Sequence, residues 1–296
     1  MSVGAQSLRR ARSIALPAST FRRLTVASAA MLVVIVASGA TVRLTGSGLG
    51  CEHWPGCQPH HFEPRSFHSD IEFGNRVIAF LTILATLATW IGAMLSKASP
   101  RLRATALVVF LGTLAQAPLG AITIHYHLNP WLVASHFLLS VVVLTLAVAL
   151  AVEVRPRQLD RVPAWVRLGA GWVWVSLGVL IVSGTLATAS GPHPGSTVVR
   201  RLWSFQPAVY WHVRATAVFG ISFAVLLFWL VRHHSRHVRG ALVLLALLGL
   251  QMTIGEVQYR THLPWWLVLV HVTVAATVWA VATAFLYALW RPRRPA

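Results

Sequence analysis

Charge is scarce in this chain: Asp, Glu, Lys and Arg together make up 11% of its 296 residues, against 56% apolar. That balance excludes a soluble chain of this length, which would need far more polar surface. The apolar residues lie in long blocks without amphipathic spacing, which also excludes surface helices of a soluble domain. Acidic residues number seven and cysteines two, so no carboxylate or thiolate completes a tetrahedral zinc set at the depth of the buried histidines described below. A small-residue cleavage site is missing after the first apolar run, which has full span length. The basic N-terminus therefore reads as the anchor of a retained first helix, not a removed leader, and Arg9-Arg10 as part of that anchor.

What is present is hydrocarbon. Eight apolar blocks, near 25–44, 71–95, 104–124, 130–152, 168–189, 207–231, 239–257 and 265–289, each meet the roughly 20 residues that a bilayer core about 30 Å thick requires. Backbone groups in hydrocarbon must be paired internally, so each block is expected to be a helix. The fold class is an all-α membrane protein with eight transmembrane helices.

The net charge of +18 raises the question of a nucleic-acid partner, and the placement of the charge answers it. Arg9, Arg10, Arg12, Arg22 and Arg23 precede the first span; Lys97, Arg101 and Arg103 follow the second; Arg155, Arg157, Arg161 and Arg167 follow the fourth. Arg232, Arg236 and Arg239 join the sixth and seventh, and Arg291, Arg293 and Arg294 close the chain. With eight spans and both termini inside, all of these fall on one face, as the positive-inside rule requires. The charge is a topology signal and no nucleic acid is implied. Arg43, Arg65, Arg76, Arg200, Arg201, Arg214 and Arg260 remain for the outer face.

A repeat organises the chain. The stretch from Gln116 to His136 recurs without a gap from Gln251 to His271, matching Gln116/Gln251, Gly120/Gly255, His127/His262, Leu128/Leu263, Trp131/Trp266, Leu132/Leu267, Val133/Val268 and His136/His271. Ser38-Gly39 at the end of the first span and Ser183-Gly184 at the end of the fifth extend it, with a gap of two residues. The chain reads as two related halves: a cytoplasmic tail 1–24, a first half 25–152 with an outer loop 45–70, a linker 153–167, a second half 168–290 and a tail 291–296.

The outer loop holds Cys51 and Cys57, a Cys-x5-Cys pair that reads first as a disulfide on an oxidising face. Zinc held with His53, His60 or His61 is the weaker reading, since the spacing is not that of a common zinc site. Whether such a bridge is structural or exchanges electrons with a thiol partner stays open. The second span opens with Asp70-Ile71-Glu72-Phe73-Gly74-Asn75-Arg76. Acidic charge at a helix start, with Glu72 and Arg76 at i,i+4, has a structural reading on its own. The functional reading comes from the second half, where His212 occupies the place of Asn75 and Arg214 lies close by.

His136, His212 and His271 lie at matching depth, the first and third about 9–10 Å below the outer end at about 1.5 Å per residue. A single membrane histidine is often a packing residue; three in symmetric positions point to a pathway or cofactor. Opposed imidazoles between apolar helices are how haem iron is held, and His212 with His271 form such a pair. Haem carboxylates need cations, which Arg214, Arg260, Arg200 or Arg201 are placed to supply. In the first half His136 faces Asn75, so an iron there keeps an open position, suited to chemistry on oxygen or a substrate, with Glu72 a candidate catalytic acid/base at the pocket edge. A proton relay through the histidines is the other reading of these residues.

The sequence resembles the haem A synthases over nearly all of its length. The likeness rests on Arg43-Leu44-Thr45-Gly46-Ser47-Gly48-Leu49-Gly50-Cys51 with Cys57, Ile71 to Arg76, Gln116 to Gly120, Leu128-Asn129-Pro130-Trp131 with His136, Ser190-Gly191-Pro192-His193, His212, and Gln251 to His271. The loop cysteine pair is similar to that of the bacterial branch. The resemblance implies two four-helix halves in a bacterial plasma membrane, and oxidation of a methyl group of haem O to the formyl group of haem A for insertion into terminal oxidases. It implies haem b on His212 and His271 as cofactor, haem O as substrate in the first half, and Glu72 as the essential glutamate. Arg76, Arg214, Arg260 and Asn75 are candidates for propionate or site support. Many relatives carry Glu-x-x-His where this chain has Glu72-x-x-Asn75, so the first-half ligand set stays open between His136 alone, a displaced partner such as His68, and an Asn75 that orients water. The partners left open are an electron donor or acceptor, the haem O–making enzyme, oxidase assembly factors and a second copy of the chain. A b-type cytochrome that only relays electrons is the alternative from another class; a transporter, prompted by the repeat alone, lacks a broken-helix site in midplane.

Overall fold

The computed structural model describes residues 16–58, 63–155, 162–196 and 201–290. Among them lie eight helices: α1(Ala18–Leu44), α2(Phe67–Leu95), α3(Pro100–His125), α4(Pro130–Glu153), α5(Ala164–Ser190), α6(Phe205–Arg232), α7(Val238–Arg260) and α8(Trp265–Trp290). All eight are long and apolar enough to cross a membrane, and the chain is an all-α, multi-pass membrane protein. Arg9, Arg10, Arg12, His60, His61, Arg157, Arg161, Arg200, Arg291, Arg293 and Arg294 lie outside the described residues.

Several helices start earlier than their apolar blocks, because their first turns include polar or basic residues that a count of apolar residues leaves out. Helix α1 runs from Ala18, not 25, and α5 from Ala164, not 168. Helix α2 begins with a capping box in which Ser69 N donates to Ser66 Oγ at 3.2 Å and Ser66 N to Ser69 Oγ at 2.8 Å, pairing donors that the helix leaves free. Helix α4 has Pro130 at its start and an Asn129 cap that accepts from Trp131 N at 3.0 Å, an arrangement suited to proline's fixed φ.

The repeat reappears in the backbone. His127 and Leu128 between α3 and α4 have φ of 52° and 57°, and His262 and Leu263 between α7 and α8 have 62° and 59°. Leu128 N donates to Thr123 O at 2.9 Å and Leu263 N to Gln258 O at 2.8 Å. Both turns are thus six-to-one helix terminations built without the usual glycine. Helices α1 to α4 pack in the ring α1·α2·α3·α4, α5 to α8 in the ring α5·α6·α7·α8, and the two rings meet through α1·α8, α4·α5 and α4·α8.

Within the bilayer, apolar contact gives little net drive for helix association, so packing and interhelical hydrogen bonds carry it. Ser28 Oγ lies 2.6 Å from Thr89 Oγ1 and donates to Ala85 O at 2.9 Å, tying α1 to α2. Trp279 Nε1 donates to Thr145 Oγ1 at 2.9 Å and Tyr287 Oη to Glu153 Oε1 at 2.8 Å, tying α8 to α4 across the seam between rings. Large apolar side chains such as Leu168, Ile221 and Phe228 are exposed on the outside, where lipid covers them. Tyr126, Trp131, Tyr210, Trp211 and Trp265 are exposed at one set of helix ends and Trp165 and Trp290 at the other, the amphipathic belts expected at the two membrane surfaces.

Candidate functional site

Four positions on facing helices are each seated on a glycine. A Cβ added to Gly184 of α5 would lie 3.0 Å from Cε1 of His212, and one on Gly255 of α7 would lie 3.1 Å from Cε1 of His271. In the other ring, a Cβ on Gly120 of α3 would lie 3.6 Å from Cε1 of His136, and one on Gly39 of α1 would lie 3.9 Å from Oδ1 of Asn75. The equivalence of Asn75 and His212 read from the sequence is therefore matched by their surroundings. All four side chains line one cavity of about 1900 Å³, which reaches into both rings. A pocket for one small ligand is about 300–1,000 Å³, so this space is large enough for more than one.

The cavity wall is mainly apolar, and some polar atoms of its lining residues lack partners. Oδ1 of Asn75, Oε1 of Gln116, Oε1 of Gln251, Nδ1 of His136 and Nδ1 of His271 are buried without a hydrogen-bond partner, unusual enough in a folded protein to call for a ligand or other explanation. His212 is held from behind, its Nδ1 3.1 Å from Ser183 Oγ, which in turn donates to Leu180 O. Imidazoles seated on glycine, an apolar wall and buried polar atoms without partners fit a haem that His212 and His271 would hold, with His136 available to a second one in the first ring. His68 does not join them: it is exposed on the first turn of α2, its Nδ1 2.9 Å from Ser47 Oγ, and it does not line the cavity.

Glu72 is buried and lines the cavity. One carboxylate oxygen accepts from Arg76 Nη2 at 2.5 Å and the other from the backbone N–H of Cys51 at 2.9 Å. Cys51 and Cys57 form a disulfide, so their sulfurs are not free as zinc ligands. No group of three His, Cys, Asp or Glu that could hold a metal ion is present among the described residues. Arg76 Nη1 donates to the carbonyls of His53 at 2.7 Å and Pro55 at 3.1 Å, and to that of Gly56. Glu72 and Arg76 thus fasten the disulfide loop, with the half-exposed Trp54, onto the mouth of the first ring. Mass spectrometry of the unreduced protein is expected to show the peptides containing Cys51 and Cys57 joined; separate thiol peptides would contradict the bridge.

The cations differ in their surroundings, and Arg76 lines the cavity. Arg76 is neutralised by Glu72, and Arg260 is exposed and paired with Glu256 at 2.5 Å. Arg260 does not line the cavity, and Arg201 is exposed. Arg214 does line it, its guanidinium 3.1 Å from the Tyr210 ring centroid. The sequence reading assigned no role to Arg43, which reaches from the end of α1 across to the other ring. Its Nε donates to His193 O at 3.0 Å and its Nη2 to Thr188 O at 2.8 Å. His193 Nε2 continues the link to Leu263 O at 2.8 Å. Arg43 also lines the cavity and meets no carboxylate among the described residues, so it caps the C-terminal end of α5 as a cation should while standing beside the ligand space. The available sequence signal was its place in the glycine-rich run that ends the first span.

Eight spans around a histidine-lined interior define the class, a multi-pass membrane protein that encloses its site between two helical rings. The model of the COX15-CtaA family, described as cytochrome oxidase assembly protein, matches residues 22–70 and 63–283, and the chain belongs to that family. It is similar to a heme A synthase of Bacillus pumilus (strain SAFR-032), 32% identical over 125 residues, 41% of this chain and 40% of the relative. A heme A synthase of Symbiobacterium thermophilum (strain DSM 24528 / JCM 14929 / IAM 14863 / T) is 24% identical over 290 residues, 90% of this chain and 94% of the relative. A protoheme IX farnesyltransferase of Halobacterium salinarum (strain ATCC 29341 / DSM 671 / R1) is 30% identical over 106 residues, 36% of this chain and 23% of the relative. The matched part spans 40% of the length of the Bacillus relative.

Proposed function

We propose that the protein is a haem A synthase, an oxidoreductase that converts a methyl substituent of haem O to the formyl group of haem A for terminal oxidase assembly. The observation that carries this reading is the set of four glycine-seated positions around one cavity, three of them histidine and the fourth, Asn75, a poor iron ligand. Haem b would be held in the second half by His212 and His271, with Ser183 orienting the His212 ring, and when bound it would supply reversible one-electron chemistry. His136 serves the substrate in the first half, and Asn75 leaves the opposite side open.

With water as the source of the oxygen, turning a methyl into a formyl group releases four protons and four electrons, which must leave the site. Glu72, at the cavity wall, is the group assigned to the protons. Its partners suit that role: the Cys51 N–H and Arg76 fix where the carboxylate stands, and the loop they hold limits access from the outer side. Arg43 and Arg214 are the cations available to carboxylate groups of a haem. Electrons leave to an acceptor outside the chain. The likeness to a protoheme IX farnesyltransferase supports a place in haem metabolism. The basic residues after the even-numbered spans support cytoplasmic termini; the chain belongs, on this reading, to the cell membrane, with 25–152 and 168–290 as its two functional halves.

Deleting the protein from a cell that relies on it is expected to abolish haem A while haem O accumulates; unchanged haem A would overturn the proposal. A second reading, an electron-relaying b-type cytochrome, is favoured by the full engagement of Glu72 in structural bonds. Gly255→Val tests the haem seat common to both readings. Its side chain would occupy the space of the His271 ring, so haem b content is expected to fall about tenfold or more, measured as haem per protein in the purified variant. Full occupancy would show that the glycine seat does not govern ligation.

A further inference from the structure

The second ring is open on one side. Of the consecutive helix pairs within the rings, α6 and α7 approach each other least, and α7 packs on α8 with hardly any support from α6. Facing stripes on the two helices line the cavity and are exposed as well: Ala217, Gly220 and Ala224 on α6, and Leu245, Gly249 and Met252 on α7. Residues that do both stand at an opening, here a slot leading from the bilayer into the space beside His212 and His271. The slot has a cause in the sequence. In the register that pairs Asn75 with His212 and Gln116 with Gln251, the first ring has Phe80, Ile83 and Leu87 where α6 has Ala217, Gly220 and Ala224, and Leu114 where α7 has Gly249. Nearer the inner face, Trp90 of α2 stacks on Phe110 of α3 with ring centroids 5.9 Å apart, a contact that draws those helices together. Leu227 and Leu245 stand at the equivalent places in the second ring. The outer end of that ring is bridged, since His193 between α5 and α6 reaches Leu263 O between α7 and α8 at 2.8 Å.

We propose that the slot between α6 and α7 is the lateral passage through which a planar, largely apolar tetrapyrrole moves from the bilayer to His212 and His271. This deepens the assignment of haem b to the second half and rests on it. Small residues along both edges leave room for a flat ring moving edge-on, and a passage from the side spares it the bridged outer end. Behind the slot, Oε1 of Gln251 and Nδ1 of His271 are buried without partners, polar atoms that call for an occupant of this space. The competing explanation is that a lipid chain fills the slot for good and haem reaches its ligands from the outer end. Closing the slot would then leave haem exchange as it was.

The test uses the full-length protein with its haem b in place, in phosphatidylcholine vesicles. Excess apomyoglobin draws the haem off, and the fading low-spin spectrum gives the release rate. The haem-depleted protein is then offered ferric protohaem IX in the same vesicles, and the returning spectrum gives the uptake rate. Gly220→Ile combined with Gly249→Leu gives α6 and α7 the first ring's residues, at positions where an added Cβ meets nothing within 4 Å. Both rates are expected to fall about tenfold or more with their ratio, the affinity, unchanged, because a narrowed passage raises the barrier without touching the bound state. Met252→Ala, which widens the slot, should raise both rates together, and it decides the matter alone if the double variant holds no haem. Unchanged rates overturn the inference, as does a double variant that releases haem faster than wild type, the mark of a damaged site; either leaves the haem b assignment standing. Wild-type protein that never shows a low-spin haem spectrum overturns that assignment and the inference with it.

Discussion

His271→Ala protein is expected to insert and fold but to lose the low-spin haem b spectrum. The substitution removes one of two imidazoles that face each other from α6 and α8, and it leaves the seat at Gly255 empty. The apolar pocket survives, since the adjoining core of Val278, Trp279, Ala282 and Phe285 lies further along α8 and is untouched. With one axial ligand gone, any retained haem would turn high-spin and bind at least about tenfold more weakly. His212→Ala should act in the same way, whereas His136→Ala should leave this spectrum intact and affect only the first half. Absorption spectra of the reduced, purified variants check all three, and an unperturbed low-spin spectrum in His271→Ala or His212→Ala would disprove the pairing.

Glu72→Ala should abolish haem A formation while the haem b spectrum persists. Loss of a general acid/base costs typically 10²–10⁴-fold, so product should fall below detection in a turnover assay with haem O. The same change also removes the acceptor for Cys51 N–H and the counter-charge of Arg76, and unpairing buried groups is itself destabilising. Glu72→Gln separates the two effects, since its side-chain oxygen can still accept from Cys51 while the carboxylate is gone. If proton transfer is the role, glutamine should be nearly as inactive as alanine yet keep the loop in place, as judged by protease resistance around residues 51–57. Substantial activity in Glu72→Gln would make Glu72 a structural clamp and leave proton transfer to another group.

Much of this was legible before any coordinates, because a bilayer leaves few options. Eight apolar blocks of span length can only be helices, and a repeat with matched histidines announces two related rings. The correspondence of Asn75 with His212 came from alignment alone and reappears as two glycine-backed positions. What sequence did not convey depends on contacts between distant segments. Helices that are apolar on every side carry no periodic signal of which face turns inward, so the bond of Gln116 to Ser140, against that of Gln251 to His271, was invisible in the matching repeat. Arg43 looked like one more outer-face cation, and only its bonds to Thr188 and His193 show that it bridges the rings. Arg76 and Arg260, candidates for propionate or site support, are each paired with a glutamate one turn earlier, a local pairing that the i,i+4 spacing had already offered for Glu72 and Arg76. The grip of Glu72 on the disulfide loop could not be foreseen, since spacing says nothing about the backbone N–H of Cys51.

The haem complement of the purified protein tests the central claim most directly. Protein isolated from cells that make haem O should be extracted and its haems identified by chromatography and mass. The account predicts protohaem retained in the second half together with haem O and its hydroxylated or formylated products. A protein carrying no haem would contradict it outright, and one carrying protohaem with haem O that is never altered would leave only a cytochrome.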